Sequence, residues 1–196
     1  MRIILASKSP RRRELLSSLG KKMNFEFEII TEEVDESLDC GISPLLGVRI
    51  LAERKGAAVA GRADTVGALV ISSDTLVELD GKALGKPSDR EDAVNMLKAL
   101  SGRTHFVRTG IAVSYLGRVY SGVASTEVEF LPLSEDEIIK YVDSGEPMDK
   151  AGAYGIQGYA GKFVKEFRGD FDTVVGLSLS LTEKLIKDAT EVIALD

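Results

Sequence analysis

Apolar and polar positions follow two periods along this chain, and the changes of period mark its elements. Ile3-Ile4-Leu5-Ala6 is a continuous apolar run that predicts a short buried strand over residues 2–6. Ser7-Lys8-Ser9 turns the chain into a helix over 10–19, with Leu15, Leu16 and Leu19 on one face. Ser9 suits the N-cap, Pro10 suits the first helical position because its missing N–H is not needed there, and Gly20 is expected to end the helix. Phe25 to Ile30 alternates and predicts a second strand. Residues 43–60 carry Leu45, Val48, Ala52 and Val59 at helical spacing. Residues 68–75 are the clearest buried strand; the chain stays extended through Leu79, and Asp80-Gly81 is a hairpin signal. A helix over 89–100, a long hairpin from 106–115 and 118–131 closed near Gly117, and a helix over 134–143 with the capping-box pair Ser134 and Glu137 follow. A strand near 162–167 and a last helix from Leu177 to about Lys187 complete the series, and the alternation predicts an α/β fold.

Several charged side chains break this pattern. Arg11, Arg12 and Arg13 crowd the first turn of a helix, against the positive end of its dipole. Successive helical residues are about 100° apart, so the three splay, and Arg12 falls on the face of Leu15, Leu16 and Leu19. Exposed N–H groups plus arginines at a helix start suit a polyanion. Lys55 lies on the apolar stripe of its helix, where an ammonium must snorkel or meet a partner. Asp74 stands at the C-terminal side of the buried strand, the side where ligands bind in open α/β sheets. Lys86 sits in the tight loop Leu84-Gly85-Lys86-Pro87, and Lys150 in Asp149-Lys150-Ala151-Gly152. The acidic segment Thr31 to Glu36 is too polar for the core and reads either as a solvated loop or as carboxylates near a metal. Between Ser144 and Phe163, glycines at 145, 152, 155, 158 and 161 signal close backbone approach or a linker, and the tyrosines, Ile156 and Gln157 argue against a linker. Gln157 offers both a donor and an acceptor to a base edge.

Composition narrows the choices. A chain of 196 residues, 44% hydrophobic and 29% charged, is long enough for one sizeable α/β domain. The net charge of −6 argues against general attraction to nucleic acid or an anionic membrane, so an anion site must be local. The single cysteine, Cys40, excludes an intrachain disulfide and fits a cytoplasmic location. There is no apolar run long enough to span a membrane. His105, the only histidine, has no second imidazole to share a metal with and is expected to be structural. Several cations around one carboxylate suit phosphoanhydride chemistry: cations hold the charged chain, and the carboxylate orients or deprotonates water. There is no Walker A motif and no Gly-x-Ser-x-Gly elbow. The residues alone reach a nucleotide or polyphosphate site.

The chain resembles the Maf-like nucleoside triphosphate pyrophosphatases. The matching pieces are residues 5–16, Ser73-Asp74-Thr75, Gly85-Lys86-Pro87, residues 100–105, and Ser144-Gly145-Glu146-Pro147 running into residues 149–158. They lie in family order over roughly residues 3–187. The resemblance implies a Maf/inosine-triphosphatase-like fold for one domain over 1–196, a long mixed sheet with flanking helices in two lobes around a central cleft. It implies hydrolysis of a nucleoside triphosphate to the monophosphate and pyrophosphate with Mg²⁺ or Mn²⁺, and it admits a homodimer. Asp74 matches the proposed general base; Ser9, Arg12, Arg13, Lys55, Lys86 and Lys150 match the phosphate path; Glu36 matches an acidic residue near the metal, shared with Asp74.

Family branches differ at positions here held by Arg11, Thr75 and Gln157, and these are similar to the dTTP/UTP branch. A glutamine pairs with a uracil or thymine edge, whereas an ionised glutamate only accepts. The alternatives are modified or non-canonical nucleotides as substrates, or a nucleotide-binding regulator of cell division or septum formation. The chain departs from the family at Gly176-Leu177-Ser178, where a proline is usual, and in the loop Gly169 to Thr173.

Overall fold

The computed structural model describes residues 1–191. The apolar run forms strand β1, Ile3–Leu5, fully buried. It lies parallel to β2, Glu28–Ile29, on one side and to β3, Leu69–Leu79, on the other, with Leu5 opposite Ile29 and Ile71. The second strand is therefore much shorter than the alternation over 25–30 predicts: Phe25 and Phe27 pack onto the core instead of pairing.

Helix α1, Pro10–Met23, starts on Ser9 as expected but runs through Gly20 and ends at Asn24, which takes the left-handed conformation at φ 58°. Gly20 serves space rather than termination: a Cβ there would lie 2.7 Å from the Phe25 carbonyl oxygen. Helix α2, Pro44–Ala60, is capped by Ser43, whose side chain accepts from the Leu46 N–H. Strand β4, Lys82–Leu84, folds back on β3 through Asp80 and Gly81, both at positive φ as a two-residue hairpin requires. Then come α3, Arg90–Leu100, β5, Thr104–Tyr115, and β6, Arg118–Phe130. Helix α4, Glu135–Asp143, carries the complete capping box: the Ser134 hydroxyl accepts from the Glu137 N–H, and the Glu137 carboxylate accepts from the Ser134 N–H. Such a cap stabilises a helix by about 1 kcal/mol. Strand β7, Val164–Arg168, pairs antiparallel with β6. Two helices follow, α5, Phe171–Val175, which no local pattern announced, and α6, Leu179–Glu191. The mixed sheet has the order β2-β1-β3-β5-β6-β7, with β4 on β3.

The chain divides into two units. The first comprises Met1–Asp74, Thr109–Ala124 and the stretch from Gly176 onward. Its core joins Leu5 and Ile71 of the sheet to Leu16 and Leu19 of α1 and Leu185 and Ile186 of α6. Burying each such side chain stabilises the fold by about 1.5–3 kcal/mol. The second unit comprises Thr75–Arg108 and Ser125–Val175. Its core packs α3 and α4 with Val77, Phe130 and Phe163. His105 lies in this core, edge-on to Phe130 and Tyr154, and its Nε2 shares a 2.7 Å hydrogen bond with the Tyr154 hydroxyl. Cys40 is exposed, and among the described residues no helix is long and apolar enough to cross a membrane.

Burial pushes the His105 imidazole down to about 4 from its ordinary 6.5. Between those values only the unfolded chain takes up the proton, so this group's contribution to stability is complete above pH 6.5 and is lost as pH falls toward 4. The loss amounts to about 3 kcal/mol. Denaturant unfolding of wild type and His105→Gln from pH 7 to pH 4 will show a shallower decline in the variant; identical slopes would contradict a buried neutral imidazole.

Candidate active site

β1 stops at Leu5, and the Ala6 N–H still bonds the Ile71 carbonyl at 2.8 Å. Beyond that point β3 continues without β1 beside it, and Ser73 and Asp74 fall in this part of the strand. Asp74 is therefore a mid-strand residue, not a strand end, because β3 goes on to pair with β4. The C-terminal edge that matters belongs to β1, whose following residues lead into α1.

At the start of α1 the Ser9 hydroxyl accepts from the Arg12 N–H at 3.4 Å. The arginines splay as the helical period requires: Arg13 is exposed, Arg11 half-buried, and Arg12 turned inward. The Arg12 Nε donates to the Gly176 carbonyl at 2.9 Å and an Nη donates to the Ser7 hydroxyl at 3.4 Å. The Ser73 hydroxyl donates to the same Gly176 carbonyl at 2.9 Å. Burial lowers the Arg12 pKa from the ordinary arginine value; the charges of Asp74 and Glu36 oppose that shift, and Arg11 adds to it.

Lys55 neither snorkels nor stands alone. Its Nζ donates to Asp74 Oδ1 at 2.5 Å and lies 2.8 Å from Glu36 Oε1. The Lys55 and Asp74 side chains are 17% and 12% exposed, Glu36 56%. The acidic segment is thus a loop that returns one carboxylate to α2. Arg54, which no spacing singled out, holds that return: its Nη1 donates to the carbonyls of Asp35 and Ser37 at 3.2 and 2.6 Å, on either side of Glu36. The Asp35 side chain accepts from the Ser37 N–H and hydroxyl at 2.8 and 2.6 Å, which tightens the same turn.

In the second unit, Thr75 is half-buried next to Asp74 in the chain, and Lys86 is exposed on its loop. The Gly85 carbonyl accepts from the Gly152 N–H at 2.9 Å, which fastens that loop to the turn after Lys150. Lys150 is 11% exposed, and its Nζ donates to the Glu146 carbonyl at 2.5 Å and to Asp149 Oδ1 at 2.7 Å. Gln157 is exposed on a turn closed by the Gly158 N–H to Gly155 carbonyl bond of 3.1 Å. The structure therefore gathers Ser9, Arg12, Lys55, Glu36 and Asp74 within the first unit, and Lys86, Lys150 and Gln157 within the second.

The family model described as Maf-like protein matches residues 2–189. This chain belongs to the Maf-like family. A Bacillus velezensis protein named dTTP/UTP pyrophosphatase is 47% identical over 187 residues, covering 95% of this chain and 96% of that protein. A protein of the same name from Desulforamulus reducens is 51% identical over 180 residues, covering 91% of each. A solved nucleoside-triphosphatase / dITP/XTP pyrophosphatase from Mycobacterium abscessus overlays at a TM-score of 0.47 with 14% identity, covering 100% of this chain and 96% of that one, too loosely to carry an argument.

The Maf-like resemblance implies a divalent metal, and the donors can be tested for fit. Among the described residues no three His, Cys, Asp or Glu side chains gather. Two carboxylates, Asp74 and Glu36, do meet on one ammonium. Mg²⁺-type ions take one or two protein carboxylates and complete their shell with water and phosphate oxygens, so this hard-oxygen pair fits.

Removing the ammonium leaves those carboxylates facing each other. Lys55→Met will lower stability at pH 7 by about 1–3 kcal/mol, the partial exposure keeping it below the cost of breaking a fully buried pair. The double variant Lys55→Met/Asp74→Asn will lose less than the two single variants added together. Strict additivity in denaturant unfolding would contradict the coupling.

Proposed function

We propose that this Maf-like chain hydrolyses dTTP and UTP to the nucleoside monophosphate and pyrophosphate. The observation that carries the reading is Asp74, held by Lys55 on a buried strand with the charge of Arg12 close enough to act on it. Support comes from relatives 45–51% identical over most of the chain that bear the name dTTP/UTP pyrophosphatase.

The chemistry follows from what each group can do. An ionised carboxylate only accepts hydrogen bonds, so Asp74 in that form can orient a water and take its proton. The water oxygen bonds to phosphorus at the α–β anhydride, the bridging P–O bond breaks, and pyrophosphate departs with the bond's electron pair. Lys55 holds the Asp74 carboxylate fixed in direction. We assign Ser9, Arg12, Arg13, Lys86 and Lys150 to the phosphate oxygens, where cations stabilise the charge that develops as the anhydride opens. Asp74 and Glu36 would hold a divalent cation, Mg²⁺ or Mn²⁺, which supplies neutralisation of phosphate charge when bound. Arg11, Thr75 and Gln157 are assigned to base choice: the Gln157 amide matches the adjacent acceptor and donor of a thymine or uracil edge.

Pyrophosphate release from a panel of nucleoside triphosphates with Mg²⁺ or Mn²⁺ tests this. Wild type is expected to prefer dTTP and UTP, and Asp74→Asn to lose about 10³-fold in kcat. Turnover confined to purine nucleotides, or an undiminished Asp74→Asn, would sink the reading. Gln157→Glu is expected to lower kcat/KM for dTTP and UTP by about 10–100-fold at unchanged melting temperature. Full activity in that variant would remove Gln157 from base choice.

A further inference from the structure

The turn that presents Gln157 has glycine at both ends, and backbone conformation does not require either. Neither Gly155 nor Gly158 is among the positive-φ glycines, and Gly158 has φ −104°. What excludes a side chain is space. A Cβ on Gly158 would lie 2.0 Å from Glu146 Oε1 and 2.8 Å from its Cδ. A Cβ on Gly155 would lie 2.7 Å from Lys150 Cε and 2.8 Å from its Cδ. The turn is pressed onto the Glu146 carboxylate at one end and the Lys150 stem at the other.

Glu146 is tied down through its backbone and its carboxylate. Its Oε1 accepts from the Tyr141 hydroxyl at 3.3 Å, its N–H donates to the Ser144 hydroxyl at 3.2 Å, and its carbonyl takes the Lys150 ammonium. Tyr141 is fully buried, stacked on Tyr159 and edge-on to Phe163, and its hydroxyl also accepts from the Gly155 N–H at 3.4 Å. Burial, with the charge of Glu146 beside it, raises the Tyr141 pKa above its ordinary value, so the hydroxyl stays a donor. One buried phenol thus ties together Glu146 and the first residue of the Gln157 turn.

We propose that Glu146 is a specificity-positioning residue: its carboxylate backs the Gly155–Gly158 turn and sets where the Gln157 amide stands, without itself touching the nucleotide. The proposal rests on the dTTP/UTP reading above. It explains why the corner residues Ile156 and Gln157 are flanked by glycines at negative φ. A looser packing of the turn would let Gln157 drift, and an amide reads a base edge only within hydrogen-bond reach.

The test measures kcat and KM for dTTP and for dCTP, whose base lacks the imide edge, beside the melting temperature. Glu146→Ala is expected to raise KM for dTTP about tenfold with kcat little changed, and to compress the dTTP:dCTP ratio of kcat/KM about tenfold. Glu146→Gln, which keeps a planar acceptor for Tyr141, restores that ratio to within about twofold of wild type. Gly158→Ala displaces the carboxylate and reproduces the compression, but adds little in a Glu146→Ala background, where its methyl enters vacated space. Glu146→Ala with the wild-type ratio and melting temperature overturns the inference. If Glu146→Ala does not fold, Gly158→Ala with the wild-type ratio overturns it instead. A wild type that turns over neither dTTP nor UTP overturns the functional reading, and this inference with it; an active wild type with indifferent variants overturns the inference alone.

Discussion

The site depends on one ammonium. Lys55 stands between two carboxylates, 2.5 Å from Asp74 Oδ1 and 2.8 Å from Glu36 Oε1. A buried carboxylate without a cation is expensive, and two facing each other more so. Lys55 gives Asp74 a cation partner in the interior of a strand, and a loop without regular structure brings Glu36 to the same point. The neighbouring Arg54 points elsewhere because successive helical residues diverge by about 100°. One residue of α2 therefore engages the carboxylates and the next grips the backbone on both sides of Glu36.

A second convergence lies at the Gly176 carbonyl. It receives both Arg12 and Ser73, joining the start of α1, the middle of β3 and the approach to α6. Arg12 can remain inside, against a helix dipole of the wrong sign, because that carbonyl and the charges of Asp74 and Glu36 compensate it. Two residues on, Ser178 stands where the family usually has proline. It is fully buried, its hydroxyl accepts from the Leu181 N–H at 3.4 Å, and its carbonyl accepts from Thr182 N–H at 3.0 Å. The departure thus supplies a helix cap, and it leaves the Gly176 anchor intact.

Features with a local cause were legible in the sequence. Ser9 before Pro10, Ser134 three residues before Glu137, and Asp80-Gly81 each satisfy backbone demands within a few residues, so their structures follow from their own neighbourhood. The inward turn of Arg12 was legible too, because it falls on an apolar stripe; for Lys55 the stripe left snorkelling and a partner equally open, and its two carboxylates come from distant parts of the chain. Features decided by distant atoms were not. Gly20 looks like a helix stop until the Phe25 carbonyl is seen against it. Asp74 looks like a strand end until β4 pairs beyond it. Arg54 and the Gly176 carbonyl bond across the fold, and nothing in their local sequence distinguishes them from any surface arginine or any glycine before a helix. The glycines at 155 and 158 were visible, but what they make room for was not.

His105 has a consequence for how the protein meets charge. It is the only histidine, and it is held neutral in an aromatic core until about pH 4. Between about pH 5.5 and 7.5, where imidazoles ordinarily titrate, this chain therefore has no imidazole to charge. A terminal phosphate gains its second negative charge near pH 6. With respect to imidazole titration, then, the protein is a receptor of fixed charge for a ligand of variable charge, and across that window it is the phosphate's ionisation, not a histidine's, that alters their attraction.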